Sequence, residues 1–306
     1  MLSFDLLIPT AGNMHPLESL LSWLIHQSVL PQHIVLLVRK KIDKESLQTF
    51  LYAVHKLLSD LSVEVDIVSH LTSDHLPEQG VGYDRNFLLQ QTKETYLCML
   101  DEDNELSPDF FAQLVQGYTE VTDKLGCPCI VSPTIMYGRS GHIQSQGITD
   151  FSFLLPRYTF GRCGDRPWQQ VKMIGANSLF GRTELFQRLG FYSRMVGSYE
   201  DIDFSYRATL AGTPVVVLRD VSIYHMERKR SYLAQRFLWT PESAYFRSRN
   251  RILFVRKNAD LRQKIEYFTL GLRLQTFRFL LLVLRYGEGQ RWQLIRAILK
   301  GIRDSI

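Results

Sequence analysis

Apolar strands alternate with amphipathic helices through the first hundred residues, and this alternation constrains the fold more than any other feature of the chain. A strand, a helix and a second strand in that order predict a parallel βαβ unit, because parallel strands need a crossover connection. Repetition of the unit predicts a doubly wound α/β fold with a Rossmann-like, mostly parallel central sheet flanked by helices, whose ligands bind beyond the carboxyl ends of the strands. The predicted strands are 4–8, 34–38, 63–68 and 96–100, and the predicted helices are 16–27, 46–58 and 85–91.

An acidic turn follows the last of these strands. Asp101 and Asp103 are two residues apart, so in a continuing strand their side chains would converge on one divalent cation while Glu102 points away. The alternative is a solvated turn, since acidic residues are common where strands end. The pair alone does not decide between the two interpretations.

A second acidic cluster lies about a hundred residues later, where Glu200, Asp201 and Asp203 stand beside a predicted helix start. Each acid alone is explained by the helix dipole, which is worth under about 1 kcal/mol for one charge. That effect does not explain both clusters together. His225 ends an apolar segment, where a neutral imidazole is able to complete a Mn²⁺ or Mg²⁺ site, although a lone histidine there is more often structural.

The downstream elements are less regular. Ser107 is predicted to cap a helix that reaches about residue 121, because Pro108 suits the first helical position. The segment 126–168 is rich in Gly, Pro, Arg and aromatic residues and predicts short strands and loops. The other predicted elements are regular structure at 171–180, helices at 183–189 and 200–212, a strand at 215–218 and a helical region from 232 onward.

Charge is distributed unevenly along this 306-residue chain, whose 45 % hydrophobic content indicates a globular protein. From Arg228 to the C-terminus there are 18 Lys and Arg against 5 Asp and Glu, whereas residues 1–227 carry a net charge of −8. We therefore predict a catalytic domain at 1–230 and a basic helical extension at 231–306. The four cysteines have no C-x-x-C spacing, so we expect reduced thiols and a cytoplasmic location.

Taken in order, these motifs resemble a family-2 glycosyltransferase with the GT-A fold, and a rhamnosyltransferase-like subgroup is one candidate within that family. The resemblance covers roughly residues 4–230, and the order and spacing of the motifs are more specific than any one of them. The matching stretches are LIPT (7–10), GVGYDRN (80–86), LDED (100–103), IGANSLF (174–180), EDID with Arg207 and Gly212 (200–212) and YH (224–225).

The resemblance implies a metal-dependent enzyme that moves a sugar from a nucleoside-diphosphate sugar to an acceptor hydroxyl. Inversion at the anomeric carbon and a role in surface polysaccharide or glycolipid synthesis are implied in the same way, with a saccharide or lipid-linked saccharide as the acceptor. Asp103 would bind Mn²⁺ or Mg²⁺ directly, Asp101 would contact the metal or the ribose, and His225 would complete the site. Asp201 would be the general base, supported by Glu200.

Further contacts follow from the same resemblance. Asp203 would cap or orient its helix. Basic residues at 39–41 stand where many relatives have an aspartate that recognises the base, so the base of the donor stays open. Arg85 is equally compatible with a structural salt bridge. The expected nucleotide contacts are Pro9, Thr10, Ala11, Arg85 and Asp101, and the expected donor-sugar or acceptor contacts are Gly175, Ala176, Asn177 and Glu200.

The basic tail carries an amphipathic helical pattern. An apolar stripe with cations on the adjoining face predicts a helix that lies flat on an anionic membrane surface, at the cytoplasmic face. The alternative is that the stripe packs on the catalytic domain. The apolar run 279–284 is too short to cross a bilayer, which needs about 20 residues. The stripe is Trp292, Ile295, Leu299 and Ile302, and the cations are Arg296, Lys300 and Arg303.

Two other classes of protein explain the sequence less completely. A nucleotidylyltransferase would have a glycine-rich phosphate loop with cations after the first strand, and residues 9–13 contain no Lys or Arg. A non-enzymatic membrane- or nucleic-acid-binding module would use the basic tail but would leave both acidic clusters without a role. Because acidic clusters repel phosphate backbones, we expect no nucleic-acid partner.

Overall fold

The computed structural model describes residues 2–10, 14–38, 49, 52, 56, 63–69, 80–138, 140–155, 157–226, 240–287 and 289–306. The predicted helix at 46–58 lies almost wholly outside the described residues, as do Ala11, the basic residues at 39–41 and the first residues of the predicted helical tail. The described part is a mixed α/β structure built on one large sheet.

The N-terminal strands form a parallel half-sheet in the order β3, β2, β1, β4, as the alternation predicts. Leu7 in the central strand lies between Val35 and Met99, and all three are fully buried because helices cover both faces. The strands are β1 (Phe4–Thr10), β2 (His33–Val38), β3 (Glu64–Ser69), β4 (Tyr96–Leu100), β5 (Asn104–Leu106), β6 (Ile130–Tyr137), β7 (Ile143–Ser145), β8 (Ile148–Phe151), β9 (Tyr158–Phe160), β10 (Trp168–Val171), β11 (Ser178–Arg182) and β12 (Val215–His225).

The other half of the sheet contains a reversal that the sequence did not predict. Strand β11 runs antiparallel to both β4 and β6, whereas β12 runs parallel to β6 and antiparallel to β10. The sheet is therefore mostly parallel, with one antiparallel strand near its centre. The predicted strand at 215–218 is too short, because the chain continues past a register shift between Leu218 and Ser222 as far as His225.

The helices flank the sheet and then form a C-terminal group. The helix predicted at 183–189 is found with those bounds, and the helix predicted to begin at Glu200 begins there. The helices are α1 (Met14–Leu24), α2 (Val81–Leu89), α3 (Phe110–Leu125), α4 (Thr183–Leu189), α5 (Glu200–Leu210), α6 (Pro241–Asn258), α7 (Leu261–Glu266), a π-helical turn (Tyr267–Gly271), α8 (Leu272–Tyr286) and α9 (Arg291–Arg303).

The prediction that Ser107 caps the helix after the acidic turn is wrong. The helix α3 begins at Phe110, and its N-cap residue Asp109 makes no capping bond with its side chain. Residues 104–106 form β5, which pairs with β12, so the chain has to turn before a helix can begin. The carbonyl of Ser107 accepts a hydrogen bond from the Phe110 N–H at 3.1 Å within this turn.

Aromatic side chains fill the core on both faces of the sheet. On one face the ring of Phe4 lies 5.3 Å from that of Phe111 and 5.7 Å from that of Phe180. On the other face Phe204 of α5 stacks on Phe191 at 4.3 Å. Because α5 carries the second acidic cluster, this stacking fixes the cluster relative to the sheet.

Much of the basic charge of the C-terminal helix α6 is used inside the protein. Arg249 donates to the carbonyl of Arg194 at 2.8 Å, and the fully buried Arg251 donates to the carbonyls of the loop after β8. Lys257 forms an ion pair with Asp203 at 3.0 Å. These cations therefore attach the C-terminal helices to the rest of the protein and are not part of an open basic surface.

Only part of the predicted apolar stripe of α9 lies on the face by which the helix packs, where Ile295 and Ile302 are partly buried against neighbouring apolar residues. Leu294 and Ile298 are buried against α6 and α8, and Gly301 lies so close to the backbone of Tyr245 that a Cβ would overlap its carbonyl. Trp292 and Leu299, in contrast, are exposed. The buried residues Leu294 and Ile298 each lie one position before a residue of the predicted stripe, because apolar residues occupy more than one face of α9.

One continuous helical segment is longer and more apolar than the sequence prediction allowed. Leu261–Tyr286, which joins α7, the π-helical turn and α8, has 26 residues and a mean hydropathy of 1.3 in its most apolar window. It is long and apolar enough to cross a membrane by length and composition alone. The apolar run 279–284, from which no membrane-spanning helix was predicted, is only part of this segment.

Candidate active site

A cleft opens at the carboxyl ends of the two central parallel strands, where ligands of such sheets bind. Strand β1 ends at Thr10 and its neighbour β4 ends at Leu100, so the residues that follow both strands meet there. The cleft has a volume of about 240 Å³ and brings together parts of both acidic clusters. Its lining residues are Pro9, Thr10, Val81, Asp84, Arg85, Asp101, Glu102, Asp103 and Glu200.

Arg85 connects the two acidic clusters. Its guanidinium, which is buried on α2, donates to Asp101 Oδ1 at 2.9 Å and lies 3.4 Å from Glu200 Oε1. Burial disfavours the charged form, but the carboxylates of Asp101, Glu200 and Asp201 outweigh it and raise the Arg85 pKa. Arg85 therefore forms the salt bridges of the structural interpretation and also lines the cleft, and its contact with a nucleotide stays a prediction.

The acidic turn has a different geometry from the one that its spacing predicts. Strand β4 ends before Asp101, and the three acids lie in a turn, so their side chains do not alternate as in a strand. Glu102, which was expected to point away, lines the cleft and accepts a hydrogen bond from the Thr10 hydroxyl. Burial raises the pKa of Asp101, while the Arg85 guanidinium opposes that rise.

Asp103 and His225 meet as predicted, although they are far apart in sequence. His225 Nε2 lies 3.1 Å from Asp103 Oδ2, because β5, which follows the acidic turn, pairs with the end of β12. His225 Nδ1 lies 3.0 Å from the amide oxygen Oε1 of Gln144. No sequence pattern predicts a role for Gln144, since it comes beside His225 only through the pairing of the short strand β7.

The second acidic cluster enters the site through an unusual backbone conformation. Tyr199, immediately before α5, has a φ of 72° and is the one non-glycine residue with positive φ among the described ranges. Its hydroxyl lies 2.8 Å from that of Tyr158. A non-glycine residue in this conformation costs about 1–3 kcal/mol, and such residues concentrate at functional sites. The next two residues are Glu200 and Asp201.

Glu200 and Asp201 occupy different surroundings. Glu200 is buried and lines the cleft, and burial, together with the charge of Asp201, raises its pKa to about 7. Asp201 is half-buried and its pKa is also raised, chiefly by burial. A Cβ on Gly175 would lie 3.7 Å from Asp201 Oδ2, in van der Waals contact with this carboxylate.

Asp203 does not cap α5, and of its two predicted roles the structure supports the one that orients the helix. Its fully buried carboxylate pairs with Arg207 Nε at 2.7 Å and with Lys257 Nζ at 3.0 Å, and it accepts a hydrogen bond from Asn258 at 2.7 Å. These partners join α5 to the end of α6. Asp203 therefore helps to hold the helix that begins with Glu200.

The predicted donor-side residues surround the same region. The carbonyl of Asn177 accepts a hydrogen bond from the Asp101 N–H at 3.0 Å, and the carbonyl of Ala176 lies 3.5 Å from Arg85 Nη2. The backbone of 175–177 thus runs between the acidic turn and Arg85. Pro9 and Thr10, two of the predicted nucleotide contacts, line the cleft, whereas Ala11 is outside the described residues.

A separate acidic group lies at the opposite ends of the strands. Ligand atoms of His33, Glu64 and Asp66 lie within 4.8 Å of one another, an arrangement that is able to hold a metal ion. Lys93 Nζ already pairs with Glu64 at 2.8 Å and with Asp66 at 3.2 Å. The ammonium group supplies the positive charge at this place. Among the described residues this is the group of three whose ligand atoms lie so close together, and the metal site at the cleft stays a prediction.

Comparison with known proteins identifies the fold. No protein-family model matches the chain, and no curated protein matches it. The chain is similar to S. aureus TarS 1–349 in complex with UDP-GlcNAc, with a TM-score of 0.58, 14 % identity and coverage of 99 % of this chain and 82 % of that chain. For the UDP complex of TarS 1–349 the values are 0.55, 13 %, 99 % and 89 %. At these identities the likeness shows a shared fold.

Proposed function

We propose that the protein is a glycosyltransferase that moves a sugar from a nucleoside-diphosphate sugar to an acceptor hydroxyl. The observation that carries the proposal is the contact of one buried guanidinium, that of Arg85, with both Asp101 and Glu200 in a single cleft. The shared fold supports it, because structures of TarS with this fold contain UDP-GlcNAc and UDP. A family-2, inverting enzyme of polysaccharide or glycolipid synthesis is the finer form of this proposal.

Asp201 is proposed as the general base. The acceptor oxygen would form a bond to the anomeric carbon while the bond from that carbon to the diphosphate oxygen breaks, and Asp201 would take the hydroxyl proton. Gly175 lies beside this carboxylate and has no side chain that would shield Asp201 Oδ2 from an acceptor. Glu200, which has the cleft on one side and Arg85 on the other, would orient the substrates.

The residues of the acidic turn fit a divalent cation. When His225 Nδ1 donates to the amide oxygen of Gln144, Nε2 of the neutral ring carries a lone pair that faces the Asp103 carboxylate at 3.1 Å. Two acceptors at this distance require a proton or a cation between them. Asp103 and His225, with Asp101 beside them, would therefore hold Mn²⁺ or Mg²⁺. When bound, such an ion stabilises the negative charge that develops on the leaving diphosphate.

Thermal stabilisation by ligands tests donor binding. We expect UDP-GlcNAc, or another sugar nucleotide of a panel, to raise the Tm in the presence of Mn²⁺, because a ligand that binds only the native state stabilises it. Asp103→Ala should lose this effect. Asp220→Ala is the matched control, because Asp220 is an exposed acid paired with Arg219, outside the cleft lining. Equal stabilisation of both variants would contradict the proposed metal residue.

Sugar transfer tests the base. Asp201→Asn should reduce turnover by about 10²–10⁴-fold, the usual contribution of a general base, and leave donor-induced stabilisation nearly unchanged. Turnover is measured as the release of nucleoside diphosphate in the presence of an acceptor. If Asp201→Asn keeps its turnover, the base is a different residue. If no sugar nucleotide stabilises the wild-type protein, the transferase proposal itself fails.

A further inference from the structure

The outward face of α8 and of the π-helical turn before it carries a long exposed apolar stripe, here called the α8 stripe. Five large apolar side chains recur at intervals of four and three residues, which places them on one side of the helix. They are between 38 and 61 % exposed, so the described structure leaves roughly half of each side chain in contact with solvent. The residues of this stripe are Leu270, Leu274, Phe277, Leu281 and Leu284.

The opposite face of the same helix is fixed to the protein. The buried Tyr267 hydroxyl donates to Gln275 Oε1 at 2.8 Å, and Val283 is also buried. Gly271 packs so close to the carbonyl of Leu154 that a Cβ would overlap it. Although the segment is long enough to cross a membrane, these contacts hold it along the surface of the protein.

Within residues 267–287 the side-chain charge has one sign. Residues 267–287 contain Arg273, Arg278 and Arg285 and no Asp or Glu. The following helix adds exposed cations, among them Arg296, and an exposed Trp292. An apolar stripe flanked by arginines, with a tryptophan close by in sequence, is the composition of a helix that lies in the interface of an anionic membrane.

We propose that the α8 stripe docks on an anionic lipid surface, with the helix in the plane of the membrane. A second copy of the chain is the competing occupant, because heptad-like spacing also suits helix pairing. Self-association through this face would bring the arginines of two copies together with no carboxylate from 267–287 to pair with them. Like charges across an interface are unfavourable, whereas anionic headgroups complement them. The proposal goes beyond the transferase activity and does not depend on it.

Vesicle binding by the full chain tests the apolar part of the proposal. Sedimentation with vesicles that contain zwitterionic and anionic phospholipids should show binding at least tenfold stronger than with purely zwitterionic vesicles. Phe277→Gln with Leu281→Gln should weaken binding at least tenfold and leave the Tm unchanged, because both side chains are exposed. Phe160→Gln with Leu210→Gln is the matched control, since these residues are similarly exposed elsewhere, and it should bind like the wild type.

Charge removal and sedimentation equilibrium separate the lipid from a second copy. Arg273→Gln with Arg285→Gln should weaken binding to the anionic vesicles about tenfold or more, because each cation near such a surface contributes about a factor of five. The wild-type protein should stay monomeric without lipid. A wild-type dimer that Phe277→Gln with Leu281→Gln converts to monomers, or vesicle binding equal in the stripe variant and its control, would overturn the proposal.

Discussion

Removal of the Asp203 carboxylate tests how the structure holds the helix of the second acidic cluster. The residue is fully buried and pairs with Arg207 at 2.7 Å and Lys257 at 3.0 Å. Removing one partner of a buried ion pair leaves charge in a poorly solvated place and costs about 3–5 kcal/mol. At about 2–4 °C per kcal/mol for a large domain, Asp203→Ala should lower the Tm by about 6–20 °C.

An exposed ion pair of the same length provides the control. Asp150 lies 2.7 Å from Lys172, but both side chains are about half-exposed, and such a pair is worth about 0–1 kcal/mol. Asp150→Ala should therefore change the Tm by less than about 4 °C. Thermal and urea unfolding of the two variants and the wild type measure the difference. If both variants lose the same stability, burial of Asp203 does not set its contribution and the reasoning is refuted.

Three further predictions concern the cleft. Glu200→Gln should raise the Tm at pH 8 and leave it unchanged at pH 4. The reason is that a carboxyl whose pKa is raised from 4.5 to about 7 destabilises the fold as it ionises. An equal change in Tm at both pH values would contradict this. Gly175→Ala should keep its Tm, since the added Cβ meets no atom closer than 3.4 Å. It should lower kcat, because the added methyl group would shield Asp201 from an acceptor. An unchanged kcat would show that acceptors do not approach Asp201 past Gly175. Gln144→Leu should weaken Mn²⁺ binding by about 10–100-fold, because a group that orients a metal-binding histidine affects affinity by about this factor. Calorimetry measures the change. An unchanged Mn²⁺ affinity would count against His225 as a ligand.

The sequence predicted the parallel half of the sheet well because its signal is local. Continuous apolar runs such as 34–38 and 96–100 are long enough to be strands and are bounded by polar residues, so their positions follow without knowledge of their neighbours. The antiparallel β11 was missed for the opposite reason. Its direction depends on pairing with β4 and β6, which are distant in sequence.

The first subset of site residues was likewise visible from the chain alone. Two acidic groups, one after a buried strand and one at a helix start, suggested a divalent-cation site, whereas the sugar nucleotide was implied by the resemblance of the ordered motifs to a known family. Gln144 and the partners of Asp203 could not be found in this way. Their side chains are common polar residues whose importance arises only when strands and helices distant in sequence are packed together.

The chain by itself determined which residues form strands and where acidic side chains are concentrated, because periodicity and composition act over a few residues. Tertiary structure decided that Arg85 would contact Asp101 and Glu200, that Glu102 would face the cleft and that Asp203 would bind Lys257. It also decided which faces of α8 and α9 are covered. The physical reason is that burial and ion pairing depend on neighbours that folding brings from far along the chain, and no local pattern encodes them.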